Sequence, residues 1–137
     1  MKSLDEVAPI GSFTDPEYAQ VGLTEAQARA NREVVVATVR FDSTTRTIID
    51  GRTRGFCKLI ADRQTRQILG CHVVGERAVE IIQAAAIAIA ARMRVDELAQ
   101  VPLSFPTYVG ILGRVAAKAT RQLNLNMNWQ ASQLEDA

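Results

Sequence analysis

One histidine, His72, and two cysteines, Cys57 and Cys71, are the side chains of this 137-residue sequence best suited to carry chemistry. A zinc site takes three or four His, Cys or carboxylate ligands, so this set falls short without carboxylate help, and no metal site is expected. Acyl transfer through a Ser-His-Asp arrangement would rest on His72 alone. That residue lies inside a run, 67–74, that reads as a strand, where a lone histidine is expected to be a surface or half-buried residue with no catalytic role. The cysteines flank a short polar segment. On a three-residue-loop register they stand directly opposite each other on one sheet face. Directly opposed cross-strand cysteines make strained disulfides, and free cysteine commonly packs as a small hydrophobe. The pair is therefore read as core. Phosphate-cradling motifs are missing: there is no P-loop, and Gly110-x-x-Gly113 falls inside an expected helix, where it reads as a close-packing position. No self-contained catalytic set is expected.

The bulk composition is equally restrained. Sixteen basic residues face fifteen acidic ones for a net charge of +1, so no long-range attraction to nucleic acid or anionic lipid is expected. The sequence is 47% apolar and 23% charged, ordinary for a soluble globular domain. No apolar run reaches the ~20 residues that span a bilayer, and two cysteines suit a reducing, cytoplasmic setting. The expected organisation is a linker or truncation end over 1–8, one domain over 9–123, and a C-terminal tail over 124–137.

The elements follow from local patterning. Residues 9–16 read as a short extended piece closed by an Asp-Pro turn, and 18–22 as a second extended run. Thr24-x-x-Gln27 is a capping box opening a two-turn helix over 25–32. The β-branched run 34–41 reads as a strand, and the polar stretch 42–54 as surface loop. Two further strands, 55–61 and 67–74, form a hairpin whose inner face carries Cys57, Leu59 and Ala61 with Leu69, Cys71 and Val73. Residues 78–93 predict a helix so apolar that it must be buried on more than one side, under the sheet or between subunits. A short helix over 95–100, a loop over 102–106 and a final helix capped by Thr107 and ending near Leu123 complete the chain. In the tail, Leu123, Leu125, Met127 and Trp129 alternate with asparagines, which predicts an extended edge anchored by Trp129. The order implies an α+β fold: an antiparallel sheet with helices packed on one side.

Taken together, several segments resemble one family. They are Phe13-Thr14-Asp15-Pro16-Glu17-Tyr18-Ala19-Gln20-Val21-Gly22-Leu23-Thr24-Glu25, Gly55-Phe56-Cys57-Lys58-Leu59, Ile68-Leu69-Gly70-Cys71-His72-Val73-Val74-Gly75, Ala78-Val79-Glu80-Ile81-Ile82 and Phe105-Pro106-Thr107. In this order and spacing they resemble the C-terminal dimerisation domain of the pyridine nucleotide–disulfide oxidoreductases, over about residues 9–120. The resemblance implies a two-fold dimer. It also implies a longer parent whose N-terminal domains bind FAD and NAD(P)H and carry the redox-active cysteine pair, so Cys57 and Cys71 are not that pair. No cofactor is expected in this chain itself.

The resemblance also exposes a departure. The family's last loop usually reads His-Pro-Thr with a Glu three residues on, and that His–Glu dyad serves as acid/base in the partner subunit's site. Here Phe105 and Gly110 stand at those two positions, so no catalytic residue is expected in this chain. The backbone of Phe105 and Pro106 could still approach the partner's flavin. Mercuric reductases of the family end in a vicinal cysteine pair, whereas this sequence ends Gln133-Leu134-Glu135-Asp136-Ala137. The expected function is the homodimerisation domain of an FAD-dependent NAD(P)H oxidoreductase lacking the dyad. A free-standing interaction protein that keeps the dimer fold is the alternative.

Overall fold

A computed structural model describes the backbone of residues 7–135 and the side chains of 7–124. Five antiparallel strands form one sheet in the order β1-β2-β5-β4-β3. The strands are β1 Ile10–Ser12, β2 Tyr18–Gly22, β3 Val34–Arg40, β4 Phe56–Asp62 and β5 Ile68–Val74. Helix α1, Glu25–Arg29, follows β2; α2, Thr45–Asp50, follows β3 after one 3-10 turn at Phe41–Ser43. Helices α3, Ala78–Ala90, α4, Val95–Gln100, and α5, Gly110–Glu135, close the chain.

The expected capping box is present. Thr24 Oγ1 accepts from the Gln27 amide at 3.2 Å, and Gln27 Oε1 accepts from the Thr24 amide at 2.9 Å. One face of the sheet is covered by α3 and α5, with α4 packed on α5, and here the main core forms from Val35, Ala37, Val39, Cys57, Leu59 and Val73 against residues such as Ile82, Ile89 and Val115. Helix α1 is the exception to one-sided packing. Ala28 sits on the opposite face with Val34, Ile60 and Leu69, making a small second core.

Three expectations are corrected. First, 42–54 is not a wandering loop. Thr47 Oγ1 bonds back to the Phe41 carbonyl, which also accepts from Thr44 Oγ1 at 3.0 Å, and Gly51 ends α2 in the left-handed conformation. Second, the hairpin register differs by two residues: Cys57 stands opposite Val73, and Cys71 opposite Leu59. The loop is wider than three residues because Asp62 Oδ1 captures the amides of Gln64 and Thr65, at 2.7 and 2.9 Å. A register shift at Ile60/Ala61 then turns Leu69 away from the main core. Third, α5 does not stop near Leu123 but runs to Glu135, where an extended edge was expected. After Gly113 the sequence has no Gly or Pro to break it. The Trp129 side chain, expected as an anchor, lies outside the described residues.

The apolar helix α3 is explained largely by its own sheet. Ala78, Ile81, Ile82, Ala85, Ala86, Ala88 and Ile89 are buried within the single chain, and β1, β2 and β5 are its sheet neighbours. A narrow stripe of Glu80, Gln83 and Ile87 remains exposed, Ile87 by 64%. Composition alone overstated the need for a second subunit against this helix.

Candidate functional site at the 102–109 loop

Residues 102–109 cross from α4 to α5 and are fixed at their base while their tip stands free. Thr107 supplies the expected cap: its Oγ1 accepts from the Gly110 amide at 3.1 Å and donates to the Ser104 carbonyl at 2.6 Å. Leu103 lies against α5 where Gly113 leaves room, since a Cβ there would come within 3.1 Å of Leu103 Cδ1. That is the packing role expected of Gly113. The hydroxyl of Tyr108 donates to Asp50 Oδ2 at 2.7 Å, which ties the loop to α2. Arg46 Nε holds the same carboxylate at 3.2 Å.

Phe105 projects from this base with 80% of its surface exposed, and its peptide bond to Pro106 is cis. Among the described residues, no hydrogen bond engages the carbonyls of Phe105 or Pro106. A cleft of about 270 Å³ separates the loop from the start of α2, with Thr44, Arg46, Phe105, Gly110 and Arg114 among its walls. Gly110 is not held there by geometry. Its φ is not left-handed, and an added Cβ would meet Thr107 Oγ1 at 3.4 Å, an ordinary contact.

The electrostatics leave no group suited to moving a proton near neutral pH. Burial and the bond to Asp50 push the Tyr108 hydroxyl up to about 12. The Tyr108 hydrogen bond holds the Asp50 carboxyl below its ordinary value, with help from Arg46. The charged walls of the cleft, Arg46 and Arg114, are guanidiniums, which donate hydrogen bonds and accept none.

The other residues singled out in the sequence lie elsewhere. His72 Nε2 sits 3.2 Å from the Leu23 carbonyl, which can only accept, so this nitrogen carries the proton. Its role is to pin the chain entering α1. Cys57 and Cys71 are fully buried and free, with their sulfurs 3.9 Å apart on a diagonal of adjacent strands. The contact with Cys71, and then burial, drive the Cys57 thiol well above its ordinary value. Both behave as core. Among the described residues, no cluster of three or more His, Cys, Asp or Glu could hold a metal. No helix there is long and apolar enough to cross a membrane.

The sequence reading missed Tyr108, Asp50 and Arg46 as the groups that hold the loop. A signal was available: Thr44 and Gly51 punctuate a short helix as N-cap and C-terminal glycine, which would have placed Arg46 and Asp50 one turn apart.

Comparison with known proteins places this arrangement in context. The mercuric reductase of Lysinibacillus sphaericus is 38% identical over 101 residues, 72% of this chain and 18% of that protein. The dihydrolipoyl dehydrogenase of Synechocystis is 37% identical over 116 residues, 81% of this chain and 24% of that protein. The HOCl-induced flavoprotein disulfide reductase RclA of Escherichia coli superposes with a TM-score of 0.79 at 25% identity, over 85% of this chain and 27% of that one. The chain thus spans about a quarter or less of the length of these relatives. The family model for the dimerisation domain of pyridine nucleotide-disulphide oxidoreductases matches residues 8–132. With the sheet, the loop and all but the last turn of α5 falling inside that match, the chain belongs to this dimerisation-domain family.

Proposed function

We propose that this chain is the homodimerisation domain of a longer FAD-dependent NAD(P)H oxidoreductase that works without the His–Glu acid/base pair. The observation that carries the reading is Phe105. A large apolar side chain 80% exposed at the tip of an anchored loop is a surface waiting for cover, and the family is one of paired subunits. Ile10, Phe13 and Ile87 are likewise more than half exposed. β1 lies against α3 where Gly11 meets Val79, so Ile10 and α3 belong to one neighbourhood. The natural setting of the domain is the cytoplasm.

The chain fits a flavin enzyme as a rim and not as a cradle. Among the described residues it has no glycine-rich βα turn to receive a pyrophosphate, and the unengaged carbonyls of Phe105 and Pro106 are what it could offer to the edge of a flavin in the partner subunit. When bound in the parent, the flavin supplies electron transfer from the nicotinamide to the acceptor. This chain's share is to seat the two subunits and to line the approach with Phe105.

Reduction of a dithiol-type substrate needs protons delivered to departing sulfur, and a placed acid/base contributes typically ~10²–10⁴-fold. Phe105 has no proton to give, Gly110 cannot orient a base, and Tyr108, at about 12, holds its proton too tightly. The parent should therefore reduce lipoamide- or glutathione-like disulfides poorly. It should do better with quinones or metal ions, which take electrons without a leaving thiolate. The test is to assay the full-length parent and its Phe105→His/Gly110→Glu variant on both acceptor classes. Both replacements fit the backbone, since Phe105 is exposed and a Cβ at Gly110 meets only an ordinary contact. The variant should gain disulfide turnover by about tenfold or more and leave quinone or metal-ion turnover nearly unchanged. Brisk disulfide reduction by the unmodified parent would defeat the reading.

A further inference from the structure

A second cleft, of about 490 Å³, opens between the edge strand β3 and helix α5, with Arg114 common to it and to the loop cleft. Four cations line it, Arg40, Arg114, Lys118 and Arg121, against one carboxylate, Asp42. Arg40 is the one paired with Asp42. Arg114 Nη1 donates to the Ser43 carbonyl, and to Ser43 Oγ at 3.3 Å. Lys118 Nζ donates to the Thr38 carbonyl at 2.7 Å. Arg121 is exposed and makes no ion pair among the described residues.

A backbone carbonyl fixes a cation's position without cancelling its charge. Two positive charges are therefore held, uncompensated, and the exposed Arg121 adds a third; they stand at i, i+4 and i+7 of one helix, a span of roughly 10 Å. Like charges at i, i+4 destabilise a helix, and acidic neighbours at that spacing would relieve them. The sequence supplies none: no carboxylate side chain lies between Glu97 and Glu135. The overall charge of +1 hides this concentration. What the cleft lacks is as specific. Its apolar walls are Val39 and Ala117, with no aromatic ring on which a base could stack.

We propose that the β3–α5 cleft binds a linear oligophosphate, with Arg114, Lys118 and Arg121 each meeting successive phosphate groups. Guanidinium forks match phosphate oxygens in pairs, and Lys118 supplies a compact charge between them. The ligand is either free oligophosphate or the phosphate tail of a nucleotide whose base stays outside the cleft. The site belongs to this chain and does not depend on the flavin reading.

Calorimetric titration of the 137-residue chain with tripolyphosphate at low ionic strength tests it. One-to-one saturable binding is expected, weakening as salt is raised toward a Debye length of ~8 Å. Lys118→Gln/Arg121→Gln should weaken it about tenfold or more. Arg121→Gln alone, which breaks no described bond, should weaken it about threefold and serves if the double variant fails to fold. Arg32→Gln/Arg63→Gln removes the same charge beside the other end of β3 and should leave binding within about twofold. ATP binding as tightly as tripolyphosphate supports a nucleotide's tail as source, and weaker ATP binding supports free oligophosphate. Absence of saturable binding, equal loss in the Arg32/Arg63 variant, tenfold tighter ATP binding or tighter binding of a hexaglutamate peptide would each overturn the proposal.

Discussion

Beneath α3 and α5, Cys57, Leu59, Ala61, Cys71 and Val73 are sealed from solvent, two thiols among them left as ordinary packing atoms. On the 102–109 loop, Phe105 stands almost wholly in water on a base fixed by Thr107 and Tyr108. The first region tolerates little: interiors pack at crystal-like density, and a lost methylene is felt. The second tolerates much, because among the described residues little rests on the tip. Substitution at such a rim leaves the scaffold untouched, which is what the proposed loss of the dyad at Phe105 and Gly110 requires.

That contrast should appear directly in stability. Phe41 is fully buried, its carbonyl gathers Thr44 and Thr47, and its ring fills the space beside Gly75, where an added Cβ would lie 2.3 Å from Cε2. Phe41→Ala should cost about 3–5 kcal/mol in denaturant unfolding. A loss below about 1 kcal/mol would mean that this corner is not packed as described.

Tyr108→Phe should cost less, about 0.5–1 kcal/mol, through the lost bond to Asp50. Its pH dependence gives a sharper signature. Folding raises the hydroxyl from its usual 10 to about 12, so its contribution is complete below pH 10 and fades as the pH climbs toward 12. Tyrosinate absorbance should show one late ionisation near 12 that Tyr108→Phe removes. Its absence would loosen the loop's base and blur the contrast.

Phe105→Ala should change the unfolding free energy of a single chain by no more than about 0.5 kcal/mol, since the ring is exposed. A larger loss in dilute, monomeric protein would show that the tip supports the scaffold after all.

How much of this was written in the sequence follows from how local each cause is. The capping box at Thr24 and Gln27, the β-branched β3 and the Thr107 cap depend on neighbours within a few residues, and each was legible. The hairpin register was not, because Asp62 widens the loop through its side chain and the shift at Ile60/Ala61 then moves Leu69 to the second core. The apolar character of α3 was visible, but whether its own sheet or another subunit covered it is a tertiary question. At the candidate site, Phe105, Gly110 and Thr107 could be named from the family pattern. The bond from Tyr108 to Asp50 could not, since the two stand 58 positions apart and meet only in the folded chain.

Light scattering on the 137-residue chain at micromolar concentration bears most directly on the central claim that this is a pairing domain. The account predicts a species of twice the 15.0 kDa chain mass, dissociating on dilution. A stable 15.0 kDa monomer across the micromolar range would contradict it.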